Sequence, residues 1–352
     1  MDRSLGPCAE QIPAKAEGVT LMRRSLRVPI LILVCIIISS GTSPGQQLIQ
    51  KPLLGFVYDK DAGEVRAILG VPGALVFSDP LALPAEVRNV HFAPGQKYAI
   101  VERSDGAPVS LLRFPGVNPG DLTEIPSSIV EPSIVSFSPD GGSVAVYSSS
   151  EGLLEIITGL PDTPRLLRDL TRDDLPGDVK LLAVSDGGTT LEGTVNGEVY
   201  RLPLGAAPEF VFSVTDLGGL AFAPSSDDAL LFDHDGGRAI LFENVTGAVS
   251  HRLLADELKE LDGPVILHLN DGTARITSAA SSHFWQIDLR TLEVQDLSLP
   301  GAPAMLEQLR TSGKFLLSSE SGQPAWILDT TGLMGSFYFV PAVPGTESKT
   351  SR

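Results

Sequence analysis

The sequence predicts an all-β domain made of repeated four-stranded sheets, preceded by a short leader. The prediction rests on a composition rich in turn-forming residues and on two sequence signals that recur in step. Glycine and proline number 35 and 27 of 352 residues, while aromatic residues make up 6%. Frequent turns that separate short apolar runs are typical of proteins built from many short strands.

The first recurring signal is an apolar run that ends in a turn. Six such turns follow one another at intervals of 39 to 46 residues, and the mean interval is about 43. Their aligned residues are Gly95, Asp140, Asp186, Ser225, Asp271 and Ser312.

The second signal is a glycine that follows each of these turns by 10–12 residues, with one gap near Ser281. Pairs such as Asp105-Gly106 and Asn196-Gly197 supply the positive φ that tight hairpins require. Apolar runs lie between the two signals and after the second, so each repeat is predicted to be one four-stranded antiparallel sheet. The glycines are Gly63, Gly106, Gly152, Gly197, Gly236 and Gly322.

A four-stranded repeat of this length matches the blade of a β-propeller. We count seven four-stranded blades, and six if the first segment folds onto another blade. Residues 53–80 supply a first blade without an innermost strand, and residues 335–342 form a strand with no blade left over. We therefore predict a ring closed by the two termini. Helical periodicity is confined to Leu253–Leu261, which we interpret as an insert between the fifth and sixth blades.

Three segments carry a resemblance to known repeats. Residues 137–159 (FSPDGGSVAVYSSSEGLLEIITG) resemble the repeat of WD-type and related bacterial secreted β-propellers, the YVTN-like group included. Residues 283–294 and 324–332 resemble the end of such a repeat, with Ile-Asp and Leu-Asp where Trp-Asp is common. The resemblance spans about residues 54–338 and implies the fold. The Gly-His pair and most Trp-Asp pairs are missing, so it does not imply the side-chain network of WD repeats.

The leader has the pattern of a secretory signal. Arg23, Arg24 and Arg27 precede an apolar run from Val28 to Ile38, and small residues follow it. This run is shorter than the roughly 20 residues that span a membrane. We predict an exported protein, periplasmic or extracellular, and the alternative is a membrane anchor through residues 28–40.

These features divide the chain. Residues 1–45 form the leader, in which 1–21 are an upstream extension and 22–45 the signal peptide, and cleavage is expected between Gly41 and Gln47. One propeller domain is predicted for residues 46–344, followed by a polar tail, 345–352. No stable membrane span is expected after cleavage.

Both cysteines, Cys8 and Cys35, lie in the leader. The mature chain is therefore expected to have no disulfide, no thiolate metal site and no cysteine nucleophile. We predict no cofactor and no bound metal. Asp233-His234-Asp235-Gly236 resembles the start of a calcium loop but lacks the distal acidic ligand, so we interpret it as a hairpin tip.

The sequence contains no motif that is typical of a catalytic site. His268 stands at the same distance from its turn as Phe92, Phe137 and Phe222 do, which predicts packing between blades. His91 lies one residue before the aligned position of Phe92, on the opposite face of its strand. It is the candidate to face the central channel. Trp285 and Trp326, the two tryptophans, are predicted to fill the core between blades.

A net charge of −17 without a basic patch argues against nucleic-acid binding. The sequence favours an exported, monomeric, non-catalytic propeller that binds an unknown protein or glycan. The alternative is a lactonase- or glycosidase-like hydrolase with its site at the channel mouth. Three or more acidic, histidine or arginine side chains that converge there would favour the hydrolase.

Overall fold

The structure is a computed structural model, and its described part is all-β, with 27 strands and one 3₁₀ turn, Arg172–Asp174. The predicted leader and the polar tail lie outside the described residues. In this part no helix is long and apolar enough to cross a membrane. The described residues are 51–258, 261, 263, 265–270, 272–278, 281–299, 305–318, 324–331 and 335–342.

The strands pair in chain order into seven antiparallel sheets, which we call blades one to seven. Blade one contains β1 (Leu53–Asp59), β2 (Glu64–Val71) and β3 (Ala74–Phe77). Blade two contains β4 (Val87–Phe92), β5 (Tyr98–Arg103), β6 (Ser110–Arg113) and β7 (Leu122–Glu124). Blade three contains β8 (Ile134–Phe137), β9 (Ser143–Ser148), β10 (Leu153–Thr158) and β11 (Arg165–Thr171). Blade four contains β12 (Val179–Val184), β13 (Thr190–Thr194), β14 (Glu198–Leu202) and β15 (Glu209–Ser213).

The remaining three blades follow the same order from the inner to the outer strand. Blade five contains β16 (Leu217–Phe222), β17 (Ala229–Asp233), β18 (Arg238–Glu243) and β19 (Ser250–Ala255). Blade six contains β20 (Val265–Asn270), β21 (Thr273–Ser278), β22 (His283–Asp288) and β23 (Val294–Ser298). Blade seven contains β24 (Met305–Gln308), β25 (Lys314–Ser318), β26 (Ala325–Asp329) and β27 (Ser336–Val340).

Apolar side chains from the two faces of each blade fill the seams between consecutive blades. Ile100 of blade two and Val146 of blade three share one buried cluster, for example. The described residues form seven such clusters, and the last joins Ile327 of blade seven to Ile68 of blade one. Seven sheets joined by seven seams in cyclic order make a seven-bladed β-propeller, which confirms the predicted fold class.

Gly106, Gly152 and Gly197 of the predicted series lie in the tight turns between the second and third strands of blades two to four. Gly197 has a φ of 81°, and a Cβ at this position would lie 2.1 Å from the carbonyl oxygen of Val214. No side chain fits there, so glycine is required for both reasons. In blade five the residue with positive φ is Gly237 and not Gly236, which shifts the aligned position by one.

The first blade lacks an innermost strand among the described residues, as the sequence predicted. β1 pairs with β2 alone. The side-chain amide of Gln96 takes the place of a neighbouring strand: its Oε1 accepts from the Phe56 N–H at 2.8 Å and its Nε2 donates to the Phe56 carbonyl at 3.0 Å. The Arg310 N–H from blade seven donates to the Leu54 carbonyl at 3.1 Å. Blades two and seven thus cover the edge that β1 leaves open.

Residues 335–342 are not left over, because β27 pairs with β26 as the outer strand of blade seven. The ring closes where this C-terminal blade packs on the N-terminal one, with Val340 fully buried in their shared cluster. β27 is apolar since it packs on β3 of the first blade.

The segment Leu253–Leu261 forms no helix in its described residues. Its first three residues belong to β19, and Leu258 and Leu261 are buried in the seam between blades five and six. The apolar spacing that resembled a helix therefore arises from a strand followed by a connection that packs its leucines into a seam.

Candidate functional site

Two cavities are lined by residues at opposite ends of the inner strands. We call the side where the inner strands begin the front face, and the side where they end the back face. The front cavity, or front groove, has a volume of about 790 Å³ and spans blades four to six. The back cavity has a volume of about 370 Å³ and is lined from blades two to seven.

The front groove combines a buried apolar interior with exposed polar side chains. The strand starts of β12, β16 and β20 and the turn after β17 bring these groups together. Its apolar lining residues are Leu181, Leu217, Phe232, Leu258, Leu261 and Val265. Its charged or titratable residues are Lys180, Asp216, His234, Asp235 and Glu257.

A contact between blades four and five fixes two of these polar groups, Lys180 and Asp216. Lys180 Nζ donates to Asp216 Oδ1 at 2.9 Å, and this hydrogen bond holds the pKa of Asp216 below its usual range. The His234 ring meets the edge of Phe232 at 5.5 Å. A Cβ on Gly218 would lie 2.7 Å from that ring, so the glycine makes room for the histidine. These contacts position polar groups of blades four and five at the groove.

Asp233 does not face the groove. It is fully buried, and its Oδ2 accepts from Arg238 Nε at 3.1 Å, which agrees with a structural role at a hairpin tip. No group of three or more histidine, cysteine, aspartate or glutamate side chains in the described residues is arranged to hold a metal ion.

The back cavity has mixed lining, and none of its lining residues is acidic. His268 Nε2 lies 3.2 Å from Gln308 Oε1, and the His268 ring meets the edge of Phe315 at 5.0 Å. Burial and then the charge of Arg275 lower the pKa of His268 to about 4, so its imidazole is neutral at pH 7. Arg275 is the cross-strand partner of His268 and lies over the Phe315 ring at 5.9 Å.

His268 packs between blades as predicted, but on the opposite side from the phenylalanine column. Phe137 packs toward the preceding blade, whereas His268 contacts blade seven, the following one. The connection between β20 and β21 is shorter than its counterparts, and Asn270 pairs directly with Thr273. A one-residue change of register turns side chains to the other face of a strand, and here it brings His268 beside Arg275.

His91 is part of a polar cluster in blade two and is not among the lining residues of the two cavities. Its Nε2 lies 2.9 Å from Oε1 of the buried Glu102, which also accepts from Asn89 Nδ2 at 3.0 Å. Burial raises the pKa of Glu102, but these hydrogen bonds and the nearby Arg88 outweigh it, and the net pKa is lowered. Among the described contacts, His91 is thus engaged with a carboxylate of its own blade.

Both tryptophans lie at seams, as predicted. Trp326 packs against the cluster between blades six and seven and meets Phe339 at 5.2 Å, while Trp285 packs against the cluster between blades five and six. Sequence reasoning identified neither Arg275 nor the Lys180–Asp216 pair. The indication available for Arg275 was a charged residue at a core position of β21, because a buried arginine needs a partner.

Comparison with known proteins supports the fold and leaves the function open. No family model matches the chain, and no curated protein matches it. A crystal structure of a protein from Lactobacillus plantarum is 11% identical over 84% of this chain and 97% of that chain, with a TM-score of 0.58. A functionally unknown protein from Desulfotomaculum acetoxidans is 13% identical over 84% and 96%, with a TM-score of 0.56. The class the chain belongs to is the β-propeller.

Proposed function

We propose that this protein is an exported binding propeller that holds a segment of a partner protein in the front groove. The observation that carries the proposal is the groove itself, in which three blades combine a buried apolar interior with an exposed polar rim. Apolar pockets with a few convergent polar groups are the usual form of binding sites. The protein acts as a monomer in this proposal, as a divergent relative of WD-type and related bacterial propellers.

The charges of the rim indicate the partner's chemistry. One lysine stands against three carboxylates in the groove, and the whole chain carries a net charge of −17. A partner segment in which basic side chains flank an apolar side chain complements this surface. The basic side chains are attracted to the acidic rim and steer association, and the apolar side chain fills the interior of the groove.

A hydrolase is the second candidate, and one observation favours it. Asp216, His234, Asp235 and Glu257 converge on the groove, and glycosidases and related enzymes need carboxylates that face one substrate. Lys180 already neutralises Asp216, so Asp235 and Glu257 are the carboxylates available for such chemistry.

The experiment uses a synthetic peptide of alternating lysine and leucine, compared with one of alternating glutamate and leucine. We expect calorimetry to show binding of the lysine peptide only, and at least tenfold loss in the double variant Asp235→Lys, Glu257→Lys. Asp121→Lys with Glu293→Lys is the matched control, because these exposed acids lie outside the groove.

Equal binding of both peptides, or full binding by the groove variant, would overturn the proposal. Hydrolysis of lactone or glycoside substrates that Asp235→Asn or Glu257→Gln abolishes would establish the hydrolase instead. Glycan binding without peptide binding would exclude a protein segment as the ligand.

Export is part of the same proposal and rests on residues 22–45. N-terminal sequencing of protein recovered outside the cytoplasm should give a start between residues 42 and 47. A membrane-bound form that retains residues 28–40 would instead support the anchor.

A further inference from the structure

We propose that Glu257 is the specificity-determining residue of the front groove, where its carboxylate pairs with a basic side chain that stands next to an apolar one in the partner segment. This inference rests on the function proposed above and narrows it to one contact. The apolar lining of the groove holds the segment, and Glu257 selects a basic side chain over a neutral one.

The backbone of Glu257 has a conformation that glutamate rarely adopts. Its φ is 55°, in the left-handed region that favours glycine. The chain turns here because it lies directly against the hairpin tip of blade five. The Leu258 N–H donates to the Gly237 carbonyl at 2.9 Å, and a Cβ on Gly237 would lie 2.8 Å from the Leu258 carbonyl oxygen. A glycine at position 257 would make this turn without strain, so the glutamate is present at a cost.

Gln96 is another non-glycine residue with a positive φ, and its side chain has a role in the fold. The φ of Gln96 is 45°, and its amide covers the open edge of β1 through the two hydrogen bonds with Phe56. The Glu257 carboxylate has no such partner in the described part of the chain. Glu257 is exposed and lines the groove, so a ligand bound there can reach its carboxylate.

The two other carboxylates of the groove are less suited to a specific contact. Asp216 is paired with Lys180 at 2.9 Å, which neutralises it. Asp235 precedes two glycines in an exposed turn, and glycine gives the backbone more freedom than any other residue. Glu257 instead precedes Leu258, whose side chain is buried in the seam between blades five and six. A charge that is held in place loses less conformational entropy when it binds.

The apolar part of the groove begins directly beside Glu257. Leu258, Leu261 and Val265 line the groove from the same connection between blades five and six. A segment whose basic side chain pairs with Glu257 therefore places a neighbouring side chain over these apolar residues. An exposed ion pair adds little affinity by itself but discriminates between partners. Its position at the rim agrees with a role in specificity.

The test measures by calorimetry how strongly the groove prefers the alternating lysine–leucine peptide to an alternating glutamine–leucine peptide. The measurement uses 0.15 M salt, which screens charges more than about 8 Å apart. We expect a preference of about fivefold in the unmodified protein and of less than about twofold in Glu257→Gln. Asp256→Asn is the matched control for charge and should keep the preference, because Asp256 is exposed but does not line the groove.

Glu257→Gly is a second variant, and it should lose the preference while its Tm stays the same or rises, because the backbone strain is relieved. Leu292→Gly is its matched control and should keep the preference, since Leu292 is exposed, has a φ of 60° and lies outside the groove.

The inference is overturned if Glu257→Gln keeps the preference for lysine, or if Asp256→Asn loses as much of it. The groove would then still bind the peptide, and the proposed function would stand. If neither peptide binds the unmodified protein, the proposed function fails together with this inference.

Discussion

Two glutamates in neighbouring seams show how differently this propeller accommodates a buried carboxyl group. Glu155 lies in the seam between blades two and three and is 3% exposed, and Glu192 faces the seam between blades three and four and is 0% exposed. Glu155 accepts hydrogen bonds from both serine hydroxyls of Ser127-Ser128 and from the Ser128 N–H. Glu192 has no partner for either oxygen in the described part of the chain.

Both carboxyl groups are buried, and they differ in the hydrogen-bond partners that the described part of the chain provides. Burial raises the pKa of Glu192 to about 8, so this side chain is a neutral acid in the folded protein at pH 7. The carboxylate of Glu155 instead links its own blade to the loop that leaves blade two. One seam therefore contains a specific polar link, and the other contains an acid that behaves as an apolar side chain.

The largest effect is expected from pH. The pKa of Glu192 is higher in the folded protein than the usual 4.5, so the unfolded chain loses this proton first as pH rises. Stability from this group is complete below pH 4.5 and is lost as the pH rises through about 8, by about 5 kcal/mol in total. Urea unfolding between pH 7.5 and 9 measures the last part of this loss, because there the pH lies above both the folded pKa of His268, about 4, and its usual value of 6.5.

Glu192→Gln is the control for that measurement. It should flatten the pH profile without removing all of it, since burial also raises the pKa of Glu307 to about 7. A profile in Glu192→Gln as steep as in the unmodified protein would show that Glu192 is charged or paired in solution.

The second effect concerns the paired glutamate. Glu155→Ala removes the acceptor of three hydrogen bonds and should lower the free energy of unfolding by about 2 kcal/mol. Urea unfolding at pH 7 measures it, and Glu155→Gln, which retains one acceptor oxygen, should recover part of the loss. A change below about 0.5 kcal/mol would mean that water replaces the carboxylate at no cost.

The third effect has the opposite sign. Glu192→Met replaces an unpaired acid by an apolar side chain of similar length and should raise the free energy of unfolding at pH 8 by about 1.5 kcal/mol. The same substitution at Glu155 is the matched comparison, and it should destabilise. If both variants changed stability in the same direction, the contrast between the two seams would be wrong.

The smallest effect is expected from Ser127→Ala, which removes one of the donors to Glu155 and leaves the other two in place. We expect a loss of about 0.7 kcal/mol in the free energy of unfolding, measured by urea titration. In the background of Glu155→Ala the same substitution should be neutral, since its partner is gone. An undiminished loss in that background would assign the effect of Ser127 to other contacts.

The repeat signals were sufficient to predict the blades, because turn glycines and apolar runs are local features. The partners of buried charges were not predictable in this way. Glu155 and Glu192 both lie in buried strands, and only folding brings Ser127, 28 residues away in sequence, to the first of them. The candidate cavities were missed for the same reason. The one-residue register change between β20 and β21 places His268 beside Arg275, and an alignment of the repeats does not show such a change of face.

The incomplete first blade has a consequence for the order of folding. Leu54 and Phe56 obtain their edge partners from Arg310 and Gln96, and the Arg310 side chain also reaches the Phe114 carbonyl, 196 residues away in sequence. Contacts of such separation form slowly, because the loop between them must first be closed. The N-terminal blade therefore remains open until the C-terminal one has been made. If the chain crosses a membrane starting with its N-terminus, the crossing would be complete before the propeller ring can close.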